Sequence, residues 1–148
     1  MGPAAVDSRL GEGYNRAMGE DAAGRWLEQA GWDLKAAGDS AAAGNYEWAC
    51  FQAQQAAEKA LKSYLIAAGR SRLISHSVRV LLVECERLEP GFSGIRAAAE
   101  LDRYYVPTRY PDGLPGDIPH AHFDAEAAER CRSLASSVIE FVSRSSRS

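Results

Sequence analysis

The stretch from Tyr46 to Ile66 reads YEWACFQAQQAAEKALKSYLI and constrains the fold more than any other part of the chain. At 3.6 residues per turn, its small and apolar side chains fall on one broad face. That face is mostly alanine and consists of Ala49, Cys50, Ala53, Ala56, Ala57, Ala60, Leu61 and Tyr64. Because small side chains let a neighbouring helix approach closely, we predict that this stretch is the central helix of a bundle.

The other side of this predicted helix does not have the composition of an ordinary solvent-facing surface. It places Trp48, Phe51 and Ile66 beside polar side chains, namely Gln52, Gln55, Lys59 and Lys62. Large aromatic side chains grouped on a surface indicate a contact. We therefore expect this side to meet a second subunit, a further helix or a ligand.

Helical periodicity also runs through the segments on either side. An apolar stripe that starts at Ala22 predicts a first helix, which Gly44 closes before Asn45 caps the central helix. Such a short connection implies an antiparallel helical hairpin. A third helix is predicted to start at Ser75 as its cap and to end before Pro90.

The second half of the chain contains a short helix, a long loop and a last helix. The short helix is predicted from Ser93 to Tyr105, and four prolines with two glycines exclude regular helix from Val106 to Phe123. Asp124 then caps the last helix. We predict an all-α, up-and-down antiparallel bundle of four main helices and one short helix, in residues 22–148, after a flexible arm of residues 1–21.

The composition argues against several kinds of protein. Lysine and arginine total 17 against 20 acidic residues, and a net charge of -3 argues against bulk binding to DNA. No run approaches the length of a membrane span, and no signal region follows the N-terminus. The three cysteines fit apolar stripes without CxxC spacing, which predicts small core residues in a reducing cytoplasm rather than disulfides or a zinc site: Cys50, Cys85 and Cys131. We expect neither a metal nor a cofactor.

The start of the long loop interleaves arginine with aromatic residues. It reads RYYVPTRYPD and includes Tyr105, Arg109, Tyr110 and Asp112. A guanidinium group can bind phosphate through two N–H groups, and tyrosine can stack on a base, so this composition favours a nucleotide or single-stranded RNA. In a second interpretation the tyrosines anchor the loop on the bundle, and Arg109 pairs with Asp112 or Asp102.

Two histidines, His120 and His122, stand just before the last helix. Either could transfer protons near neutral pH and, together with Arg109, could support RNA cleavage by the 2′-hydroxyl without a metal. The alternative is that both are surface residues at the start of that helix. No phosphate loop and no familiar hydrolase motif accompanies them.

Two further groups of residues have both a functional and a structural interpretation. His76 and its basic neighbours could bind a phosphate at a helix N-terminus, or His76 could orient the turn while the arginines are solvated: Arg70, Arg72 and Arg79. On the central helix, Gln55, Lys59 and Lys62 could form a polar floor for a ligand. Alternatively, Glu58 and Lys62 form a surface salt bridge at the favourable spacing of four residues.

Three segments resemble a known family when they are taken in order: WACFQAQQAAEKALKSYL, HSVRVLL and LDRYYVPTRYPD. They resemble the HEPN domain, named for its occurrence in higher eukaryotes and prokaryotes, and in particular its small stand-alone prokaryotic branch. The resemblance runs from about Ala22 to Val142. It implies an antiparallel helical bundle that is usually dimeric and is associated with nucleotide or RNA binding.

The resemblance also implies a genetic context and, for many relatives, an activity. Such proteins are often encoded beside a minimal nucleotidyltransferase, in a two-gene module that in some cases acts as toxin and antitoxin. Many relatives are metal-independent ribonucleases in which a histidine at the start of the last helix follows an arginine after four to six residues. Here ten residues separate Arg109 from His120. Arg70 and His76 have five residues between them but lie between the second and third helices, so we do not assign them to this motif.

Three hypotheses follow. In the first, the chain is a homodimeric HEPN module that leaves the chemistry to a partner nucleotidyltransferase. It binds a nucleotide or RNA through Gln55, Lys59, Lys62, Tyr105, Arg109, Tyr110 and Asp112. The last three of these residues match the RYPD motif of the branch. In the second, the chain is a metal-independent ribonuclease that uses Arg109, His120 and His122. In the third, Trp48, Phe51 and the alanine faces form an oligomer interface without a ligand.

Overall fold

The structure is a computed structural model that describes residues 8–70 and 75–146, with side chains from residue 21 onward. Every regular element in these ranges is helical, which confirms the predicted all-α class. The elements are α1 (Ser8–Ala42), α2 (Tyr46–Ala67), α3 (Val78–Leu88), a 3₁₀ segment (Pro90–Tyr104), a 3₁₀ turn (Pro111–Gly113), α4 (Pro119–His122) and α5 (Ala125–Ser145). No helix in the described ranges is long and apolar enough to cross a membrane.

The helices α1 and α2 form the predicted antiparallel hairpin. Gly44 reverses the chain between them with φ at +83°, a conformation that glycine adopts without strain. At the other end of the hairpin, Ser63 Oγ donates a hydrogen bond to the carbonyl oxygen of Ala23 at 2.8 Å. This bond links the two helices about one turn before α2 ends.

The alanine face of α2 is the centre of the hydrophobic core. Its members other than Tyr64 are fully buried, and both α1 and α5 pack against α2. The partners that face it are also small where the helices approach, and include Ala30, Ala37, Ala128, Cys131 and Ala135. This arrangement confirms α2 as the central helix of the bundle and explains its composition, since larger side chains would separate the helix axes.

Several predicted boundaries differ from the structure. The helix α1 begins at Ser8 rather than at Ala22, so residues 8–21 of the predicted arm are helical. They lack an apolar stripe, and a pattern-based prediction therefore could not detect them. Residues 1–7 lie outside the described part of the chain, and the flexibility of the arm stays a prediction.

The helix caps agree with the sequence in part. Asp124 caps α5 as predicted, because its Oδ1 accepts a hydrogen bond from a backbone N–H of the first turn at 2.8 Å. Asn45 stands at the start of α2 but makes no capping bond with its side chain. The cap of α3 is Ser77, and the prediction of Ser75 is wrong by one short turn: Ser75 Oγ instead accepts a bond from the backbone N–H of Ser77.

The predicted short helix is a 3₁₀ segment with a break at Ile95, where φ is -118° and ψ is 22°. It buries Phe92, Ala98 and Leu101 in the core. Near its end, the side chain of Asp102 reaches the start of α3. Its two oxygens accept bonds from three groups there, the N–H of Val78 at 2.6 Å, the N–H of Arg79 at 3.0 Å and the hydroxyl of Ser77 at 2.8 Å.

The three cysteines are free and buried, as predicted. Burial raises the pKa of Cys85 to about 12, and the pKa of Cys131 is raised by its hydrogen bond with Cys50 and by burial. At pH 9 roughly a thousandth of Cys85 is thiolate, against about half of an unperturbed thiol. We therefore expect iodoacetamide to label the native protein only as fast as the chain unfolds, and to label all three cysteines rapidly in urea. Mass spectrometry measures both rates, and fast labelling without urea would contradict the prediction.

Candidate functional site

The guanidinium group of Arg109 lies among three aromatic rings. Its central carbon is 4.4 Å from the ring centre of Phe51, 4.6 Å from that of Tyr105 and 5.2 Å from that of Tyr110. Its Nε donates a hydrogen bond to the carbonyl oxygen of Tyr105 at 2.8 Å. Each such cation–π contact contributes about 0.5–2 kcal/mol, depending on exposure. We call these four residues the arginine–aromatic cluster.

The cluster joins α2 to the segment that follows the 3₁₀ helix. Phe51 belongs to α2, whereas the other members lie in a turn that is closed by a bond from the N–H of Arg109 to the carbonyl oxygen of Val106 at 3.0 Å. Thr108 is buried in this turn, and its hydroxyl donates to the carbonyl oxygen of Tyr104 at 2.6 Å. The side chain of Arg109 is therefore held by backbone geometry on one side and by a rigid helix on the other.

The alternative prediction that Arg109 forms an ion pair with Asp112 or Asp102 is wrong. Asp102 is occupied at the start of α3, and Asp112 is exposed in the 3₁₀ turn without a contact to Arg109. No residue of 21–70 or 75–146 accepts a hydrogen bond from the two terminal nitrogens of Arg109, and neither nitrogen is a buried, unpaired group. The guanidinium group thus lies against aromatic rings, while its outer N–H groups have no acceptor in the part of the chain that the structure describes.

Two residues of the predicted polar floor on α2, Gln55 and Lys59, have partly exposed side chains. Gln55 Nε2 donates to Gln54 Oε1 at 2.7 Å, and Lys59 Nζ donates to Asp33 Oδ2 of α1 at 2.5 Å. Lys59 also lines a shallow hollow of about 220 Å³ with residues of α1, namely Arg25, Trp26 and Gln29. The α2 surface therefore continues from the cluster toward α1.

Lys62 lies inside the protein rather than on this surface. Its Nζ is 3.6 Å from Glu58 Oε2, and only 5% of each side chain is exposed, so the predicted surface salt bridge is a buried one. The ammonium group also sits 5.6 Å from the ring centre of Trp26. Lys62 is therefore buried behind the α2 surface, beside Glu58 and Trp26.

The two predicted catalytic histidines have different surroundings. His120 Nδ1 lies 3.1 Å from both carboxylate oxygens of Glu47, whose side chain is 8% exposed. Glu47 is one helical turn before Phe51 on α2, so the structure brings His120 close to the cluster. His122 pairs with the exposed Asp117 at 3.4 Å and belongs to the loop surface.

His76 is the residue that sequence reasoning undervalued. Its Nδ1 lies 3.1 Å from Glu58 Oε1, and its ring stacks on that of Tyr105 with centres 6.0 Å apart and an angle of 13°. Its carbonyl oxygen accepts a bond from Gln54 Nε2 at 3.1 Å. His76 therefore links the buried Glu58 to the arginine–aromatic cluster. The sequence signals for His76 were its place at the head of HSVRVLL and its basic neighbours, and neither indicated a contact with Glu58 or Tyr105.

The predicted phosphate site around His76 is described only in part. Arg70 and Arg79 are exposed, whereas Arg72 lies in residues 71–74, outside the described part of the chain. The N-terminus of α3 is already occupied by Asp102, whose carboxylate accepts bonds from the first N–H groups. A phosphate at that helix end would meet this negative charge. Within the described residues, no group of histidine, cysteine, aspartate and glutamate is arranged to hold a metal ion.

These observations define a class of protein, a small all-α bundle with an arginine–aromatic cluster where the turn after the 3₁₀ segment meets the central helix. The profile of the HEPN domain matches residues 23–145. The chain is 41% identical to TT1696 from Thermus thermophilus, over 82% of this chain and 96% of that one, with a TM-score of 0.78. It is 33% identical to ST0689, described as an archaeal HEPN homologue, over 83% of this chain and 96% of that one, with a TM-score of 0.69. No curated protein matches the chain. The chain belongs to the HEPN domain family.

Proposed function

We propose that this HEPN domain binds a nucleotide or single-stranded RNA at the arginine–aromatic cluster and leaves nucleotide transfer to a separate minimal nucleotidyltransferase. The observation that carries the proposal is Arg109, which is fixed by stacking and by one backbone bond while its terminal N–H groups have no acceptor among residues 21–70 and 75–146. Two parallel N–H groups of this kind match the geometry of a phosphate.

The surroundings of Arg109 suit the rest of a nucleotide. Tyr110 is 52% exposed, and Trp48 is 47% exposed while its ring meets that of Phe51 edge to face at 6.1 Å. Stacking of a base on such a ring contributes about 1–3 kcal/mol and tolerates any base. Gln55 and Lys59 supply polar groups on the adjacent part of α2, and Asp112 is an exposed acceptor beyond Tyr110. In this proposal the buried Lys62 does not contact the ligand but supports the α2 surface from inside the protein.

The oligomeric part of the proposal rests on the family. HEPN domains commonly dimerise. We infer that this chain forms a homodimer, and that Trp32 is the side chain to examine first because it is 59% exposed. Phe51, by contrast, lies under Arg109 and contributes to the ligand site. The same proposal includes a two-gene, toxin–antitoxin-like module in which the second gene encodes the minimal nucleotidyltransferase.

Substitution of Arg109 by alanine tests the ligand site. Loss of a charged hydrogen-bond donor to phosphate costs about 1.5–3 kcal/mol, so we expect the affinity for a single-stranded oligoribonucleotide to fall by roughly ten- to a hundredfold. Fluorescence anisotropy with a labelled oligoribonucleotide, and with ATP as competitor, measures the change. Arg109→Lys should recover only part of the affinity because it keeps the charge but loses the planar fork.

A matched arginine serves as the control. Arg103 is six residues away, and its exposed side chain lies 3.8 Å from Glu100 rather than in the cluster. Arg103→Ala should leave binding within about twofold, since an exposed ion pair contributes little. Tyr110→Ala should weaken binding without a change in its salt dependence, because stacking releases no counterions. Equal affinities of wild type and Arg109→Ala would refute the site.

A further inference from the structure

The shallow hollow between α1 and α2 lies outside the arginine–aromatic cluster. It measures about 220 Å³ and is lined by Arg25, Trp26, Gln29 and Lys59. Sites that enclose a drug-sized ligand measure about 300–1,000 Å³, so this hollow has room for one ring system rather than for a whole nucleotide. An indole beside an arginine and a lysine can bind a base by stacking and the adjoining phosphate by charge.

The indole of Trp26 forms a fixed wall of the hollow. Its ring is partly exposed, and the buried ammonium group of Lys62 lies 5.6 Å from the ring centre. Because this cation–π contact ties the ring to α2, a base that stacks on the indole requires little ordering of the protein. Gln29 donates to Asp33 Oδ1 at 2.8 Å, so its amide oxygen can still accept a hydrogen bond from a base.

Both cations of the hollow have N–H groups that are not used inside the protein. Arg25 contacts Asp21 through one terminal nitrogen at 3.1 Å, and its side chain is 70% exposed. Lys59 contacts Asp33 of α1 through one of its three ammonium N–H groups. Among residues 21–70 and 75–146, no further acceptor contacts either cation. Because an exposed ion pair contributes little, a phosphate can displace Asp21 from Arg25 at small cost.

The hollow and the cluster lie along the same row of side chains on α2. Phe51, Gln55 and Lys59 follow one another at intervals of four residues, which places them on one side of the helix. Phe51 contacts Arg109 at one end of this row, and Lys59 lines the hollow at the other. Eight residues correspond to about 12 Å along the helix axis. Because successive phosphates of a stacked strand are about 3.4 Å apart, this is the length of about three or four nucleotides.

We propose that the ligand of this HEPN domain is a strand of RNA rather than a free mononucleotide, and that the strand binds the cluster and the hollow at the same time. This inference rests on the proposed function. Arg109 binds one phosphate, Gln55 contacts the strand between the two ends, and Trp26 stacks a base further along. Arg25 and Lys59 contact the phosphate beside that base. A mononucleotide cannot span the distance and therefore uses the cluster alone.

The test compares a fluorescein-labelled hexa-adenylate with adenosine monophosphate, using the purified full chain, fluorescence anisotropy and competition. We expect wild type to bind the hexamer at least about tenfold more tightly, because the second contact is intramolecular. Trp26→Leu should weaken hexamer binding about five- to a hundredfold and leave monophosphate binding unchanged. Arg25→Ala should reduce the slope of log affinity against log salt concentration by about 0.7 for the hexamer.

Arg87 provides the matched control for Arg25. The two side chains are 69% and 70% exposed and each contacts one carboxylate, but Arg87 belongs to α3. Arg87→Ala should therefore leave the affinity for the hexamer and its salt dependence unchanged. Equal effects of Arg25→Ala and Arg87→Ala would overturn the inference, because they would show attraction to the overall charge rather than binding in the hollow.

The two proposals fail in different ways. Equal affinities of wild type for the hexamer and the monophosphate, both lost in Arg109→Ala, would overturn the inference and leave the proposed function intact. Wild-type affinity for the hexamer in both Trp26→Leu and Arg25→Ala would also overturn the inference alone. Absence of binding of either probe by wild type would overturn both. Urea unfolding checks that Trp26→Leu folds, and Arg25→Ala decides the outcome where it does not.

Discussion

Replacing Lys62 by methionine is expected to lower the free energy of unfolding by about 3–5 kcal/mol. The ammonium group is the charged partner of the buried Glu58, whose other partner, the ring of His76, is largely exposed. Without Lys62, the carboxylate keeps the cost of burial and loses its buried counter-charge. Urea unfolding followed by circular dichroism measures the change, provided that the slope of the transition stays the same.

The chain contains a matched control for this prediction. Lys35 and Asp39 are also four residues apart on a helix, but their side chains are 61% and 68% exposed. Lys35→Met should change the free energy of unfolding by less than about 0.5 kcal/mol. The double variant Glu58→Gln/Lys62→Met should recover much of the stability that Lys62→Met loses, because it leaves no unpaired buried charge. If Lys62→Met and Lys35→Met destabilise the fold equally, burial of the pair has no energetic consequence.

Asp102→Ala should have the second largest effect on stability, about 2–4 kcal/mol. One carboxylate accepts two backbone N–H groups and one hydroxyl at the start of α3, so its loss leaves three donors without their partner. For a chain of 148 residues this corresponds to a fall in Tm of roughly 6–15 °C. Differential scanning calorimetry gives the value directly.

Asp124 provides the comparison, since it caps α5 through a single backbone N–H within its own helix start. Asp124→Ala should cost about 1 kcal/mol, the ordinary value for a local cap. Asp102→Asn should fall between the two, because the amide oxygen can still accept but carries no charge toward the helix dipole. Equal losses for Asp102→Ala and Asp124→Ala would show that the link between the 3₁₀ segment and α3 adds nothing to a normal cap.

The hairpin, the central helix and the last helix could be predicted because their signals are local. The alanine face of α2 has helical periodicity, Gly44 permits the reversal of the chain, and Asp124 precedes an apolar stripe. The start of α1 at Ser8 could not be predicted, since it depends on backbone hydrogen bonds that continue where no apolar stripe exists.

The residue types of the candidate site could be predicted from the sequence, but the contacts between its segments could not. Arginine interleaved with tyrosine marked the loop, yet the ring that stacks most closely on Arg109 is Phe51, from a helix far earlier in the chain. Two of the three histidine–carboxylate pairs in the described residues join distant positions: His120 and Glu47 are 73 residues apart, and His76 and Glu58 are 18 apart. No periodicity encodes such pairs, because only the packing of loop on bundle brings them together. The spacing of Glu58 and Lys62 predicted their contact, but their burial depends on neighbours from other segments.

The position of α2 also has an evolutionary consequence. Of its residues, only Trp48 and Ala67 are exposed, so nearly every side chain of this helix touches another part of the protein. One side holds the core together, and the other carries Phe51 and the carboxylates that orient the two histidines. Under the proposed function, substitutions that change ligand preference at the candidate site fall on the helix that stabilises the fold, so adaptation to a new ligand lowers the same small margin of stability. Divergence in specificity should therefore proceed more readily through the loop of residues 105–123 than through α2.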